Sequence, residues 1–453
     1  MATTRPLRVL GAACVVAAVV WLMTPARAAD DKDAAARLKR FNDLKFGMFI
    51  HWGPYSLASV EASWPIMTPP KSGGITEAEY RALPQRFNPV KFDPKAWVRL
   101  ARAAGQRYMV LTSKHHDGFC MFDSAFTDYK ITKTPYGKDV AAMLAQAARE
   151  EQMPFGFYYS PPDLNHPGFR DTSRPASENW RGEPARPEWP LYLSYMELQV
   201  RELLTRYGDV FVVWFDGLGQ QEKYDGTRFL RTIRDLQPTA LVNNRVGLTA
   251  DFVTPEQRLP KGIPVKGARV GMTNPDDAGL SPEPPSPDAF QPWETCMTIN
   301  QTWAYNANDR AFKSTTELIR TLVEVASRGG NFLLNVGPTP EGTIQPEFEE
   351  RLLAVGAWLK VNGEAIYGTT YGPLQKLPFA RTTANDGTIY LHVFDWPAQS
   401  PLTVPGVGTN VRAVRLLSGN RPLEFAQKAG VLTIQSGGIT PDPHATVLAI
   451  DTR

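Results

Sequence analysis

Between residues 46 and 336, short apolar runs alternate with longer amphipathic stretches. The runs Gly47–His51, Tyr108–Thr112, Phe155–Ser160, Val210–Phe215, Ala240–Asn243 and Asn331–Val336 are four to six residues long. They are nearly continuous in hydrophobicity, as expected of strands covered on both faces. Between them, Pro94–Ala104, Val140–Glu151, Leu191–Tyr207, Thr227–Leu236 and Ser314–Ser327 repeat apolar positions every three or four residues and predict helices. Asp93-Pro94 reads as an N-cap followed by proline at the first helical position. Strands separated by helices imply parallel βαβ units. At least six such strands within about 300 residues favour a (β/α)8-like barrel over an open sheet, so the fold class is α/β.

The pattern changes after a helix predicted over Glu347–Val361. From Tyr371 onward, Thr388–Phe394, Val411–Leu417, Val431–Gln435 and Ala445–Ile450 are separated by Gly, Asn and Pro and lack helical periodicity. They predict a small antiparallel β-sandwich with a stabilising role. The expected organisation is a leader over 1–28, a barrel over 29–369 and a β-sandwich domain over 370–453. Two long loops interrupt the barrel pattern, Trp64 to Phe87 and Leu259 to Pro292, the second with eight prolines. Barrel proteins build their sites from such βα loops, so both are expected to wall a cleft.

The leader changes how the charge is read. Arg5 and Arg8 precede a 15-residue apolar run, Val9 to Met23, and Ala26-Arg27-Ala28 follows as a small-residue cleavage site. The run is shorter than the roughly 20 residues a membrane span needs. A cleaved signal peptide is expected, with a mature chain that starts at Ala29, is exported to the periplasm or beyond the cell, and keeps no stable membrane association. Residues 1–28 carry Arg5, Arg8, Arg27 and no acid, so they account for the whole net charge of +3. A neutral mature chain gives no basis for nucleic-acid binding. Only Cys120 and Cys296 remain after the leader, as one bridge or two buried thiols.

The candidate chemistry collects at the ends of the predicted strands. Three of the six histidines fall there: His51, His115 and His116. Asp216 closes Val212-Val213-Trp214-Phe215-Asp216-Gly217, and Lys114, Asp117, Tyr158, Tyr159, Asn244 and Arg245 occupy similar places. Glycoside cleavage needs a pair of carboxylates. Glu256 and Glu294 are the two candidates for the second: Glu256 closes Phe252-Val253-Thr254-Pro255-Glu256, and Glu294 follows Trp293, a neighbour able to desolvate it. Trp52, Trp64, Trp214 and Trp303 are candidate platforms for the apolar face of a sugar. There is no H-E-x-x-H, C-x-x-C, G-x-x-x-x-G-K-[ST] or G-x-G-x-x-G motif, so no metal and no cofactor are expected. Imidazole and guanidinium donors, aromatic platforms and paired acids together describe a carbohydrate cleft.

Five segments in order carry a family resemblance: Lys45-Phe46-Gly47-Met48-Phe49-Ile50-His51-Trp52-Gly53, Ser113-Lys114-His115-His116-Asp117-Gly118-Phe119, Phe157-Tyr158-Tyr159-Ser160, Trp214-Phe215-Asp216-Gly217 and Asn331-Phe332-Leu333-Leu334-Asn335-Val336-Gly337-Pro338. Together they resemble the α-L-fucosidases of glycoside hydrolase family 29. The resemblance implies a retaining, metal-free hydrolase of terminal α-L-fucose, acting on a fucosylated oligosaccharide or glycoconjugate. It implies Asp216 as nucleophile; His51, His115, His116, Arg245 and Trp64 as fucose-binding residues; and Tyr158 or Tyr159 as the family's tyrosine. For the acid/base, Glu256 resembles the family position that soon follows the Asn-x-Arg segment, and Glu294 a Trp-Glu-x-Cys element. Glu256 is preferred and Glu294 kept. Trp64 or Trp303 is expected to receive the fucose methyl. Two alternatives stand beside this reading: a fucose-binding lectin on a decayed barrel, and a hydrolase of the related α-L-galactose. Linkage preference and oligomeric state stay open.

Overall fold

A computed structural model describes residues 31–452, except 69–73, 218–222, 249, 375–376 and 398–400. The expected leader over 1–28 lies outside the described residues. Seven parallel strands form the central sheet: β1 (Phe46–Ile50), β2 (Met109–Lys114), β3 (Phe155–Tyr159), β4 (Val212–Phe215), β5 (Leu241–Val242), β6 (Glu294–Thr298) and β7 (Asn331–Val336). Their order is β5-β4-β3-β2-β1-β7-β6. The segment 251–257 bridges the two edges without becoming a regular strand. Asp251 N–H donates to Val242 O at 2.9 Å, Glu294 N–H to Val253 O at 3.0 Å, and Gln257 N–H to Cys296 O at 2.9 Å. These bonds close the sheet into a barrel whose eighth position is irregular.

Strand alternation sorts the side chains. Phe49, Val110, Tyr158, Trp214, Cys296 and Leu333 fill the barrel interior as one cluster. Their sequence neighbours Met48, Ile50, Met109, Leu111, Phe157, Tyr159, Val213, Phe215 and Leu334 pack outward with the helices. Six helices alternate with the strands as the periodicity predicts, among them Pro94–Ala103, Val140–Glu150 and Trp189–Arg206. Asp93 caps the first of these by accepting from Ala96 N–H at 3.0 Å, with Pro94 at N1. A helix the pattern did not announce, Asp31–Leu44, is tied to the barrel by a pair of hydrogen bonds from Arg37 to the buried Asp251, at 2.9 and 3.1 Å.

Two expectations change. The strand β6 is absent from the predicted set because Glu-Thr-Cys-Met-Thr has no apolar run; its polar side chains are satisfied by partners such as Arg258 O, which accepts from Thr295 Oγ1 at 2.7 Å. The described residues of the stretch 64–87, expected as a loop, hold two short helices and a 3-10 turn, Trp64–Met67, Glu77–Ala82 and Leu83–Arg86, the second with a Thr76/Glu79 capping box. The stretch 259–292 is irregular, as expected, and folds back on itself through isolated pairings of Ile263 with Ser281, Val265 with Phe290 and Arg269 with Ala278.

From Thr370 the chain is antiparallel. A six-stranded and a three-stranded sheet pack around Leu391, Val414, Leu432 and Leu448. Cys120 and Cys296 are both free and buried.

Candidate active site

The barrel's inward positions converge at the carboxyl ends of the strands on a cavity of about 120 Å3, room for one small ring. Phe49, His51, Trp64, His115, His116, Tyr158, Trp214, Asp216, Arg245, Glu256, Met272, Thr273, Cys296 and Trp303 line it. A larger hollow of about 500 Å3 at Leu44, Arg102, Arg107 and Tyr367 is lined by neither carboxylate nor histidine.

Arg245 organises the acids. One nitrogen, Nη1, donates to Asp216 Oδ1 at 3.1 Å and to Glu256 Oε2 at 2.9 Å. Two oxygens held by one nitrogen stand at most about 6 Å apart, compatible with the spacing of about 5–5.5 Å between carboxyls in retaining glycosidases. The guanidinium is itself fixed: Nε donates to Thr254 Oγ1 at 2.8 Å, Nη2 to Thr254 O at 3.0 Å, and its Cζ lies 4.6 Å from the Trp214 ring centre. Asp216 Oδ2 accepts from the Tyr158 hydroxyl at 3.0 Å and faces His116 Nε2 at 3.6 Å. Burial pushes the Glu256 carboxyl up from the usual range; the ion pair with Arg245 opposes this and the charge of Asp216 adds to it. A carboxyl whose proton affinity is raised beside a second carboxylate is the arrangement proton donation requires.

The histidines are oriented from behind. Asn335 Nδ2 donates to Trp303 O at 2.7 Å, which fixes its amide, so its Oδ1 accepts from His51 Nδ1–H at 2.7 Å. Ser160 gives its proton to Pro162 O at 2.7 Å and therefore accepts from His116 Nδ1–H at 2.6 Å. Both rings thus present Nε2 as an acceptor. Burial lowers His51 to about 4 and His116 to about 3, and pushes His115 well down, so all three are neutral at neutral pH. His115 stacks on Tyr158 with centroids 5.4 Å apart, and its Nδ1 meets Ser63 Oγ at 2.7 Å. Trp303 packs 4.9 Å from His51, while Trp64 stands at the rim, 37% exposed.

Tyr159, Glu294, Trp52 and Lys114 do not line the cavity. Tyr159 is the outward member of its strand pair: its hydroxyl donates to Gln199 Oε1 at 2.8 Å, and Lys114 Nζ lies 4.4 Å from its ring centre. Strand alternation could have chosen Tyr158, since Trp214 and Asp216 also lie two apart on the inner face. Glu294 points inward but sits two residues before Cys296, about 7 Å deeper along the strand. It is fully buried behind Trp214, whose indole N–H donates to it at 2.9 Å, and it also accepts from the Tyr108 hydroxyl. Burial pushes its carboxyl up to about 7. Trp52 is a core residue, packed among Phe87, Phe92 and Trp97. Lys114 is spent on a buried ion pair with Asp163 at 3.0 Å.

Sequence reasoning missed Phe49, Met272, Thr273 and Cys296 as lining residues and Asn335 as the orienter of His51. It also missed Glu61, a half-buried carboxylate that accepts from the backbone N–H groups of Ala62, Trp303 and Ala304 at 3.0, 2.8 and 3.0 Å, tying Trp303 to the loop after β1. Inward alternation along the predicted strand 47–51 could have found Phe49, whereas Cys296 lies on β6, which has no apolar run to announce it, and nothing in the local sequence pointed to Glu61.

The family model for α-L-fucosidase matches residues 23–364. Plasma α-L-fucosidase of Rattus norvegicus is 32% identical over 360 residues, 73% of this chain and 70% of that one. The structure of α-L-fucosidase isoenzyme 1 from Paenibacillus thiaminolyticus superposes with a TM-score of 0.81 at 35% identity, covering 93% of this chain and all of that one. A family 29 α-L-fucosidase from Bacteroides thetaiotaomicron, trapped as a covalent intermediate with 2-fluoro-fucosyl fluoride in a glutamate-to-glutamine mutant, superposes with a TM-score of 0.76 at 26% identity, over 92% of this chain and 96% of that one. Because the family model spans most of the chain and relatives above 30% identity cover most of it, this chain belongs to the α-L-fucosidases of glycoside hydrolase family 29.

Proposed function

We propose that this hydrolase removes terminal α-L-fucosyl residues with retention, using Asp216 as nucleophile and Glu256 as acid/base. The observation that carries the assignment is the shared Arg245 Nη1, which brings these two carboxyls together in a cavity of single-sugar size. An Asp216 oxygen attacks the anomeric carbon as the bond to the leaving oxygen breaks, and Glu256 delivers its proton to that oxygen. The product is a β-linked fucosyl ester. Glu256, now a carboxylate, takes a proton from water; the water oxygen attacks the same carbon, the ester breaks, and α-L-fucose leaves. The covalent intermediate trapped in the Bacteroides relative, in a glutamate mutant, supports the same two-step course here.

His51 and His116 offer Nε2 acceptors to ring hydroxyls, while Phe49 and Trp303 form an apolar wall suited to the methyl that fucose carries in place of a C6 hydroxyl. The small cavity fits a chain-end sugar, so the substrate is a fucosylated glycan attacked from its terminus. Proton NMR of the first minutes of hydrolysis tests retention: α-L-fucose appears first and then mutarotates, whereas initial β-L-fucose would overturn the mechanism. Near-equal rates on α-L-galactosides would shift the substrate class, and sugar binding without turnover would point to a lectin.

Export is the second part of the proposal, resting on the charged start, the apolar run and the Ala26-Arg27-Ala28 site. Sequencing the amino end of the exported protein is expected to give Ala29; a chain retained in the membrane that starts at Met1 would contradict it.

A further inference from the structure

Glu256 belongs to the irregular eighth position of the barrel, where a single parallel bridge to Cys296 holds it on one side: Cys296 N–H donates to Pro255 O at 3.3 Å and Gln257 N–H to Cys296 O at 2.9 Å. The backbone N–H of Glu256 donates to Met272 O at 3.0 Å, in the proline-rich stretch 259–292. The next residue, Gln257, has a left-handed backbone with φ of 55°, uncommon outside glycine, and its carboxamide bonds Thr298 Oγ1 at 3.0 Å. Arg258 then reaches back to the same stretch. Its Nε donates to Met272 O at 3.2 Å, and its fork grips Asp277, Nη1 to Oδ2 at 2.9 Å and Nη2 to Oδ1 at 2.6 Å, while Nη2 also bonds Gly271 O. Asp277 in turn accepts from Gly271 N–H at 3.1 Å. The Asp277 side chain is 2% exposed and that of Arg258 14%. Met272 therefore receives hydrogen bonds from both Glu256 and Arg258 on one carbonyl, and Met272 and Thr273 line the cavity beside Glu256.

We infer that Arg258 and Asp277 are positioning residues for proton transfer: their bidentate pair fastens the turn 271–277, and through the Met272 carbonyl that turn fixes the backbone that aims Glu256 at the leaving oxygen. The inference rests on the reading of Glu256 as acid/base. A planar fork on a carboxylate supplies direction that a point charge lacks. Displacing a catalytic group by about 1 Å costs on the order of a hundredfold, so a loosened turn has a large lever on the chemistry.

The test compares two aryl fucosides of similar shape, phenyl α-L-fucoside, whose leaving group needs a proton, and 2,4-dinitrophenyl α-L-fucoside, whose leaving group does not. Asp277→Asn and Arg258→Lys are each measured alone and combined with Glu256→Ala. Each single variant is expected to lower kcat/KM on the phenyl substrate by on the order of tenfold or more, with a change below about threefold on the dinitrophenyl substrate. In the Glu256→Ala background the same substitutions are expected to add nothing. Equal losses on both substrates, or losses that persist without Glu256, would show a merely structural pair and overturn the inference. A clear substrate split in Glu256→Ala with none in either pair variant overturns the positioning role alone; no split in Glu256→Ala overturns the acid/base reading and the inference with it. Arg258→Lys keeps the charge without the fork, so it reads geometry even where Asp277→Asn loosens the fold.

Discussion

Asp216→Gly is expected to lower turnover of an aryl α-L-fucoside by on the order of 10³-fold or more while the protein stays folded, because a covalent route disappears and no core contact does. The side chain meets Arg245, Tyr158 and His116, all of them cavity groups, so its loss opens space where a small anion can sit. Added azide is then expected to restore part of the rate and to give the β-fucosyl azide, since the anion attacks from the place the carboxylate held. Near-normal turnover, or an α-configured azide, would remove Asp216 from this role.

The second large effect separates the two glutamates. Glu256→Ala is expected to slow a natural fucosyl disaccharide on the order of 10²–10⁴-fold through the loss of general acid catalysis, and to slow the first step on a dinitrophenyl fucoside little. Azide should speed breakdown of its fucosyl-enzyme and yield the α-fucosyl azide, the opposite anomer from the Asp216 variant. The pH profile carries the same signature. The acid must hold its proton, so kcat/KM falls as pH rises through the raised Glu256 value, and that basic limb should vanish in Glu256→Ala. Glu294→Gln is expected to behave differently. Glu294 serves the Trp214 indole and the Tyr108 hydroxyl from inside the barrel, so its replacement should cost stability, about 1–3 kcal/mol if a donor is left unpaired, and affect both substrates alike. A leaving-group dependence in Glu294→Gln and none in Glu256→Ala would reverse the assignment.

Much of this site was legible because strands announce both themselves and their ends. Continuous apolar runs marked β1 to β5 and β7, and the polar residues that closed them, His51, His115, His116, Asp216 and Arg245, are the ones the barrel gathers. Alternation within a strand separates Tyr158 from Tyr159 once the inner face is known. What stayed hidden depends on contacts distant in sequence. The strand β6 carries polar residues satisfied by partners across the barrel interior, so its composition resembled a loop. The choice between Glu256 and Glu294 turns on depth, and depth follows from strand register, which pairs Glu294 with Asn331 at the entry of β7. Glu61 acts on Trp303 across 242 positions of chain through backbone donors, a relation with no local pattern.

The most direct test of the central claim is to trap the intermediate. The protein is incubated with 2-fluoro-fucosyl fluoride, digested with protease, and the labelled peptide is sequenced by mass spectrometry. The account predicts a single fucosyl ester on Asp216 in Val212-Val213-Trp214-Phe215-Asp216, formed as activity is lost and released as activity returns. An ester on another carboxylate, Glu256 and Glu294 included, or inactivation without any covalent adduct, would contradict it.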